Sequence, residues 1–446
     1  MQQLFFDLVQ FARGQLKDRE VLLANFAGEV SDFMRLNRAR VRQAMTVRQA
    51  YLTLTLIDEG LTASGARCMS TTVAVTGDAT EDKAVVKAAL EAMRTELLTL
   101  PADPHLSYST QVSSSERRDT GRLPSPDEAL DAILQSAKGA DLVGIYASGP
   151  IFRGFANSLG QQNWHAVDGF NFEWSLYHSE DKAVKSAYAS GHWNPVEFAE
   201  RIASSRAQLA HLGGAPKTIE PGIYRAYLAP QACDELLWML NWEGVSAKAQ
   251  QTKQSVIQKL VDGAASLSSK VTLRENTAEG LAPAFDEAGF VKPGVVELIR
   301  AGVHAGALVS PRTAQEYGLP ANGANDNESM ESIDLAAGSL PAANALEALD
   351  TGVYISNLWY LNFSDHSNAR VTGMTRFATF WVEQGQIAAP LNVMRFDDSL
   401  YRMLGDNLIE LTRERDWIVD SGTYGMRSVD TSRCPGMLMS ALTLTL

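Results

Sequence analysis

GVYISNLWYLNFSDHSNARVTGMTRFATFWVEQGQIAAPLNVMRF, residues 352–396, holds the pattern on which the fold turns. Two runs rich in β-branched and aromatic residues, TGVYISNLWYLNF at 351–363 and TRFATFWVEQGQI at 375–387, flank the polar cluster SDHSNA, as two strands flank a turn. Within the second run, Gln384-Gly385 has the composition of a tight hairpin turn.

Working outward, IYRAYLAP at 223–230 reads as a strand that leads into a helix from about Gln231, and an amphipathic stretch follows over Ser246 to Ala264. PANGANDNESMES at 320–332 is the most polar and turn-prone segment, a surface loop or flexible excursion. A helix near Asp398 to Leu411 and a final strand, GMLMSALTLTL, complete the second half. In the first half, residues 2–13 carry Leu4, Phe5, Leu8, Val9 and Ala12 on one helical face. EVLLANFAG, YLTLTLI and MSTTVAVTG then read as a meander of strands, and EDKAVVKAALEAMRTELLTL as the helix that covers it. Ser125, Pro126 and Glu128 spell a capping box, and Asn194, Pro195 and Glu197 open a further helix that Gly213 or Gly214 closes. These elements predict an α+β fold of two domains, an N-terminal sheet flanked by helices at 1–213 and a largely antiparallel β domain with helices at 214–446, as 446 residues would suggest.

Composition narrows the function. Thirty-nine basic against fifty-two acidic residues give a net charge of −13, which argues against nucleic acid or an anionic membrane as partner. No run of about 18 uncharged apolar residues occurs, so no transmembrane span is expected. The N-terminus lacks the basic start and small-residue cleavage site of a signal peptide. Cys68, Cys233 and Cys434, odd in number and far apart in sequence, fit a reducing cytoplasm. Walker A, GxSxG and GxGxxG signatures are missing, and His178-Ser179-Glu180 lacks the PCxxC that a deaminase HxE requires.

Several segments, in order, resemble the TldD/PmbA family, historically called modulators of DNA gyrase. RGFANSLGQQNW at 153–164 is similar to its Asn-Ser-x-Gly element, and PGIYRAYLAPQACDELL at 221–237 to the strand-to-helix entry of its second domain. AGALVSPRTAQEYGLPANG at 305–323 resembles its later Tyr-bearing loop. Residues 352–396 match best, through Asn368, Thr372-Gly373, Phe380-Trp381, Gln384-Gly385 and Pro390. The resemblance covers roughly 150–446 and implies a two-domain α+β fold and a dimer, often of one catalytic TldD-type and one PmbA/TldE-type subunit. It also implies peptide cleavage or maturation of modified peptides.

Catalytic members of that family carry HExxxH on the helix after the IYRAYLAP-like strand, where two imidazoles can grip one zinc while a carboxylate activates water. In this sequence Trp238 and Met239 take the places of the first His and the Glu, and Glu243 that of the second His. The place of the family's third ligand, a Cys, falls near Ser421. No metal or catalytic residue is therefore expected on this chain. The resemblance implies zinc on a TldD-type partner and a PmbA/TldE-type, non-catalytic role for this chain. Asp365, His366, Asn368 and Arg370 are candidates for peptide contact, alongside the simpler reading of a satisfied turn. Trp238 and Trp242, four apart, would share a helical face, filling the metal's space, stacking on substrate or packing in the core. The alternatives are a homodimeric peptide-binding or scaffold protein, or an enzyme that joins Glu243 to His366.

Overall fold

The computed structural model describes residues 1–59, 66–179 and 182–445. Its backbone forms two sheets with helices segregated around them, an α+β architecture.

The first sheet is built on four long antiparallel strands in the spatial order Arg40–Asp58, Glu20–Asn37, Asp141–Asn157, Gln162–Ser179. Arg67–Ala74 extends one edge, while Ser115–Asp119 and Lys182–Ser190 share the other. Alternation along Glu20–Asn37 assigns the faces, because successive side chains of a strand point to opposite sides. Leu22, Ala24 and Phe26 meet Phe5 and Leu8 of helix Gln2–Arg13 and Val86, Leu90 and Met93 of helix Ala79–Leu97. Met34 and Leu36, on the same face, meet Ile133 of helix Pro126–Ser136 and Phe198 and Ile202 of helix Pro195–Leu212. Asn194 caps its helix and Ser125 with Glu128 forms a capping box as the sequence predicts, while Asp78, not singled out in the sequence, accepts the first-turn N–H groups of helix Ala79–Leu97.

The opposite face of this sheet packs on the second half of the chain. Leu23 and Phe155 cluster with Phe285, and Ile151 and Val167 with Ala282 and Val429. The second sheet closes on itself: Gly222–Leu228 pairs in parallel with Gly352–Asp365 and antiparallel with Thr431–Leu444. From Gly352–Asp365 the path continues through Arg370–Glu383 and Arg395–Ser399 back to Thr431–Leu444. Helix Pro230–Trp238 packs against Gly352–Asp365 and Thr431–Leu444 and buries Cys233, Leu236 and Leu237 in the largest core. Gln384 and Gly385, at φ 51° and 75°, make the two-residue turn read from the sequence.

Three expectations change. The stretch from Ser246 forms only the short helices Ala247–Gln251 and Gln258–Val261. In place of a helix near Asp398, strand Arg395–Ser399 runs into a wide helical turn at Arg402–Asp406 and then strand Leu408–Val419, because sheet pairing to Thr431–Leu444 claims that backbone. The polar 320–332 loop is strapped down: Glu328, 3% exposed, accepts from Ser246 Oγ and from the Lys248 and Ser310 amides.

Candidate functional site

Where the two sheets meet, strands Leu408–Val419 and Thr431–Leu444 carry cavities on either side. Trp417 pairs with Arg433, and Ile418 with Ser432. Arg433 and Trp417 line one cavity, Ser432 and Ile418 the other.

The larger cavity, about 790 Å³, is lined by Arg117 and Arg118 of the edge strand together with Arg415, Trp417 and Arg433. Each guanidinium already has an acid: Arg117 pairs with Asp119, Arg118 with Glu116, Arg415 with Asp334 and Arg433 with Glu279. Arg433 also lies over the Trp417 ring, 4.9 Å from its centroid. With its charges matched, this cavity presents a polar wall rather than an open cationic one.

The smaller cavity, about 340 Å³, lies against helix Pro230–Trp238. Gln231, Asp234 and Trp238 face it at the i, i+3, i+7 spacing of one helical side. The first sheet contributes Glu173 and Lys185, joined by a 2.8 Å ion pair, and Ser421 donates to Glu173 at 3.1 Å. Asp420 and Asp430 complete the polar lining. Asp234 is 4% exposed and its Oδ1 has no hydrogen-bond partner. Burial pushes its pKa up to about 7, the charge of Asp420 adding to the shift and Ser432 and the Trp238 indole opposing it. Burial likewise raises Asp430 to about 6, helped by Glu331 and Asp420. Glu235, one residue further on the helix, is raised by burial to about 7 while it accepts from the Leu358 amide and Asn357 Nδ2.

The positions singled out in the sequence are thus dispersed. Trp238 and Ser421 line the smaller cavity. Met239, 3% exposed, turns into the core. Trp242 does not share a helical face with Trp238. The α-helix ends at Trp238, a single tight turn spans Met239–Asn241, and Glu243 adopts φ 67°. Asn241 explains the break, since its amide side chain donates to the Met330 carbonyl and accepts the Met330 N–H, anchoring the chain sideways. Trp242 is left half exposed at 52%, its ring 6.3 Å from Phe363, which in turn lies 5.5 Å from the His366 ring.

Asp365, His366, Asn368 and Arg370 close the far end of the Gly352–Asp365/Arg370–Glu383 hairpin and line neither cavity. Asp365 accepts from the Asn368 backbone and side chain, Lys259 donates to Asn368 Oδ1, and Arg370 donates to Asp397 Oδ1 at 2.8 Å. Cys233 and Cys434, distant in sequence, sit side by side with no exposure, and burial drives the Cys434 thiol upward. His178 is in the structure but Glu180 lies outside the described residues. Among the described residues no three His, Cys, Asp or Glu side chains are grouped as a metal shell, and no helix is long and apolar enough to cross a membrane. Asp234, Glu173, Asp420 and Asp430 were not singled out by sequence. Asp234 alone left a trace there, four residues before Trp238 on a helix.

No curated protein matches the chain in sequence. In fold it is similar to a protein from Thermotoga maritima described as a candidate modulator of a DNA gyrase, with 15% identity, a TM-score of 0.75 and 99% of each chain covered. It is also similar to TldE from Thermococcus kodakarensis, with 14% identity, a TM-score of 0.76, and 99% of this chain and 100% of that one covered. A further likeness is to a candidate modulator of DNA gyrase from Bacteroides thetaiotaomicron, with 13% identity, a TM-score of 0.73, and 99% and 98% covered. The family described as PmbA/TldA metallopeptidase C-terminal domain matches residues 221–446, the segment that holds the closed sheet and the helix behind the smaller cavity, and the chain therefore belongs to the PmbA/TldD family.

Proposed function

We propose that this chain is a PmbA/TldE-type subunit that does not itself cleave peptides: it forms one wall of a peptide-holding chamber, and zinc and hydrolysis reside on a TldD-type partner. The reading rests on the donor chemistry along helix Pro230–Trp238 and the turn after it. Where the family resemblance calls for two imidazoles, a carboxylate and a thiolate, this chain has Trp238, Met239, Glu243 and Ser421. An indole offers no lone pair to a metal, and a neutral thioether cannot act as the base that activates water. Met239 points into the core and Glu243 sits beyond the end of the helix in a left-handed turn. These residues do not fit a zinc ion, and no catalytic step is assigned to them.

The test is to co-express the chain with an HExxxH-bearing member of the family, purify by a tag on this chain alone, and measure bound zinc and cleavage of an unfolded peptide. A stoichiometric complex, with zinc and cleavage lost when the partner's HExxxH is mutated, is the expected result. A stable homodimer that ignores the partner would favour a scaffold role instead. Zinc at one equivalent, or hydrolysis, by this chain alone would overturn the assignment.

A further inference from the structure

The smaller cavity has more negative charge than its structure uses. Glu173 is satisfied by Lys185 and Ser421. Asp234, Asp420 and Asp430 form no ion pair among the described residues. Asp234 is the most telling of the three, because it lies at the cavity wall, is 96% withdrawn from solvent, and leaves Oδ1 without any partner. A buried carboxylate oxygen with nothing to accept from is costly to retain, so it points to a donor that arrives with a ligand. Beside it stands the Trp238 indole, half-buried on the same helical side. A carboxylate next to an indole is the environment that holds organic cations, one group supplying charge and the other a polarizable π-face. A metal ion needs several hard donors converging on one point, and the carboxyls here do not converge in that way.

We propose that this cavity binds the ammonium or guanidinium side chain of a lysine or arginine residue in a bound peptide, with Asp234 as counter-ion and Trp238 as its flanking face. The inference rests on the peptide-holding role above and gives it a substrate preference. Ser421 and the Glu173–Lys185 ion pair line the same cavity. Asp420 and Asp430, in the same lining, add attraction for a cation.

The experiment uses the full chain and two kinds of probe. Fluorescein-labelled Ala-Ala-Lys-Ala-Ala and its norleucine analogue are compared by fluorescence anisotropy, and agmatine, a free guanidinium compound, is titrated by calorimetry. The lysine peptide should bind at least tenfold more tightly than the norleucine peptide. Asp234→Asn, which keeps the shape and removes the charge, should abolish that difference, and Trp238→Leu should reduce it. Agmatine should bind wild type and not Asp234→Asn. Equal binding of both peptides, unaltered by Asp234→Asn, would sink the cation site and leave peptide holding intact. Agmatine binding that depends on Asp234, without binding of either peptide, would sink peptide holding and leave the cation site. No binding of any probe would reject both. Binding of Zn²⁺ or Mg²⁺ lost in Asp234→Asn, with agmatine inert, would replace the organic cation by a metal.

Discussion

Asp234 is a residue whose charge and whose surroundings disagree. Its folded pKa of about 7 stands above the unfolded carboxyl value of 3.8. A carboxyl raised in this way contributes fully below its unfolded pKa, and that contribution is lost as pH climbs through about 7, because the unfolded chain gives up its proton first. Asp234→Asn should therefore leave stability unchanged near pH 4 and raise it at pH 8 by on the order of 1–3 kcal/mol. Urea unfolding at the two pH values measures this, and an Asn variant less stable at pH 8 would show that the carboxylate has a cationic partner in the free protein. Glu235, raised by burial to about 7 on the same helix, works in the same direction. His165 works the other way: burial holds its pKa down at about 4, so its contribution is present above 6.5 and lost as pH falls toward 4.

At the scale of an element, the Asn-Ser-x-Gly turn shows how a short motif earns its shape from hydrogen bonds. Asn157 Oδ1 accepts the N–H groups of Leu159 and Gln161, and Gly160 takes φ 109°, open to glycine and strained for other residues. The turn links the long strands Asp141–Asn157 and Gln162–Ser179 whose register places Glu173 at the cavity. Asn157→Ala leaves two amides unpaired at a 3%-exposed position and should cost roughly 1–3 kcal/mol. Thermal unfolding checks this, and an unchanged midpoint would mean the turn is held by its strands alone. The helix Pro230–Trp238 behaves in the opposite manner. Its start is local, Pro230 taking the first position, but its end is imposed from outside by the Asn241 contacts with Met330.

For the whole molecule, Arg427 joins the halves. It is 6% exposed, and its guanidinium donates to Ser31 Oγ and to the Gly149 and Gly169 carbonyls of the first sheet. Burial lowers its pKa to about 10, with nearby Glu29 opposing the shift. Arg427→Met strips the charge from beside Glu29, itself 1% exposed, and leaves the carbonyls without donors. A loss of about 3–5 kcal/mol is expected. The 420–430 segment, which lines the smaller cavity through Asp420, Ser421 and Asp430, should then become the first site of limited proteolysis. Unchanged stability and an uncut segment would show that the apolar contacts of Ile151, Val167, Ala282 and Val429 suffice to hold the sheets together.

Local chemistry was legible from the amino acids because it depends on neighbours a few residues away: the capping box at Ser125, the Gln384-Gly385 turn, the amphipathic helices of the first half, and the α+β class they add up to. Where backbone pairing partners are distant, the local signal misled. The helix read over Asp398 to Leu411 gives way to two strands around a wide turn because Thr431–Leu444 pairs with Leu408–Val419, and Trp242 leaves the helix because Met330, far along the chain, binds Asn241. Sequence therefore determined those elements whose energies are set within a few residues. Only the tertiary structure decided the cavity, because Glu173, Asp234 and the 420–430 segment lie far apart in sequence, and the burial that raises the Asp234 carboxyl exists only once the two sheets have closed over it.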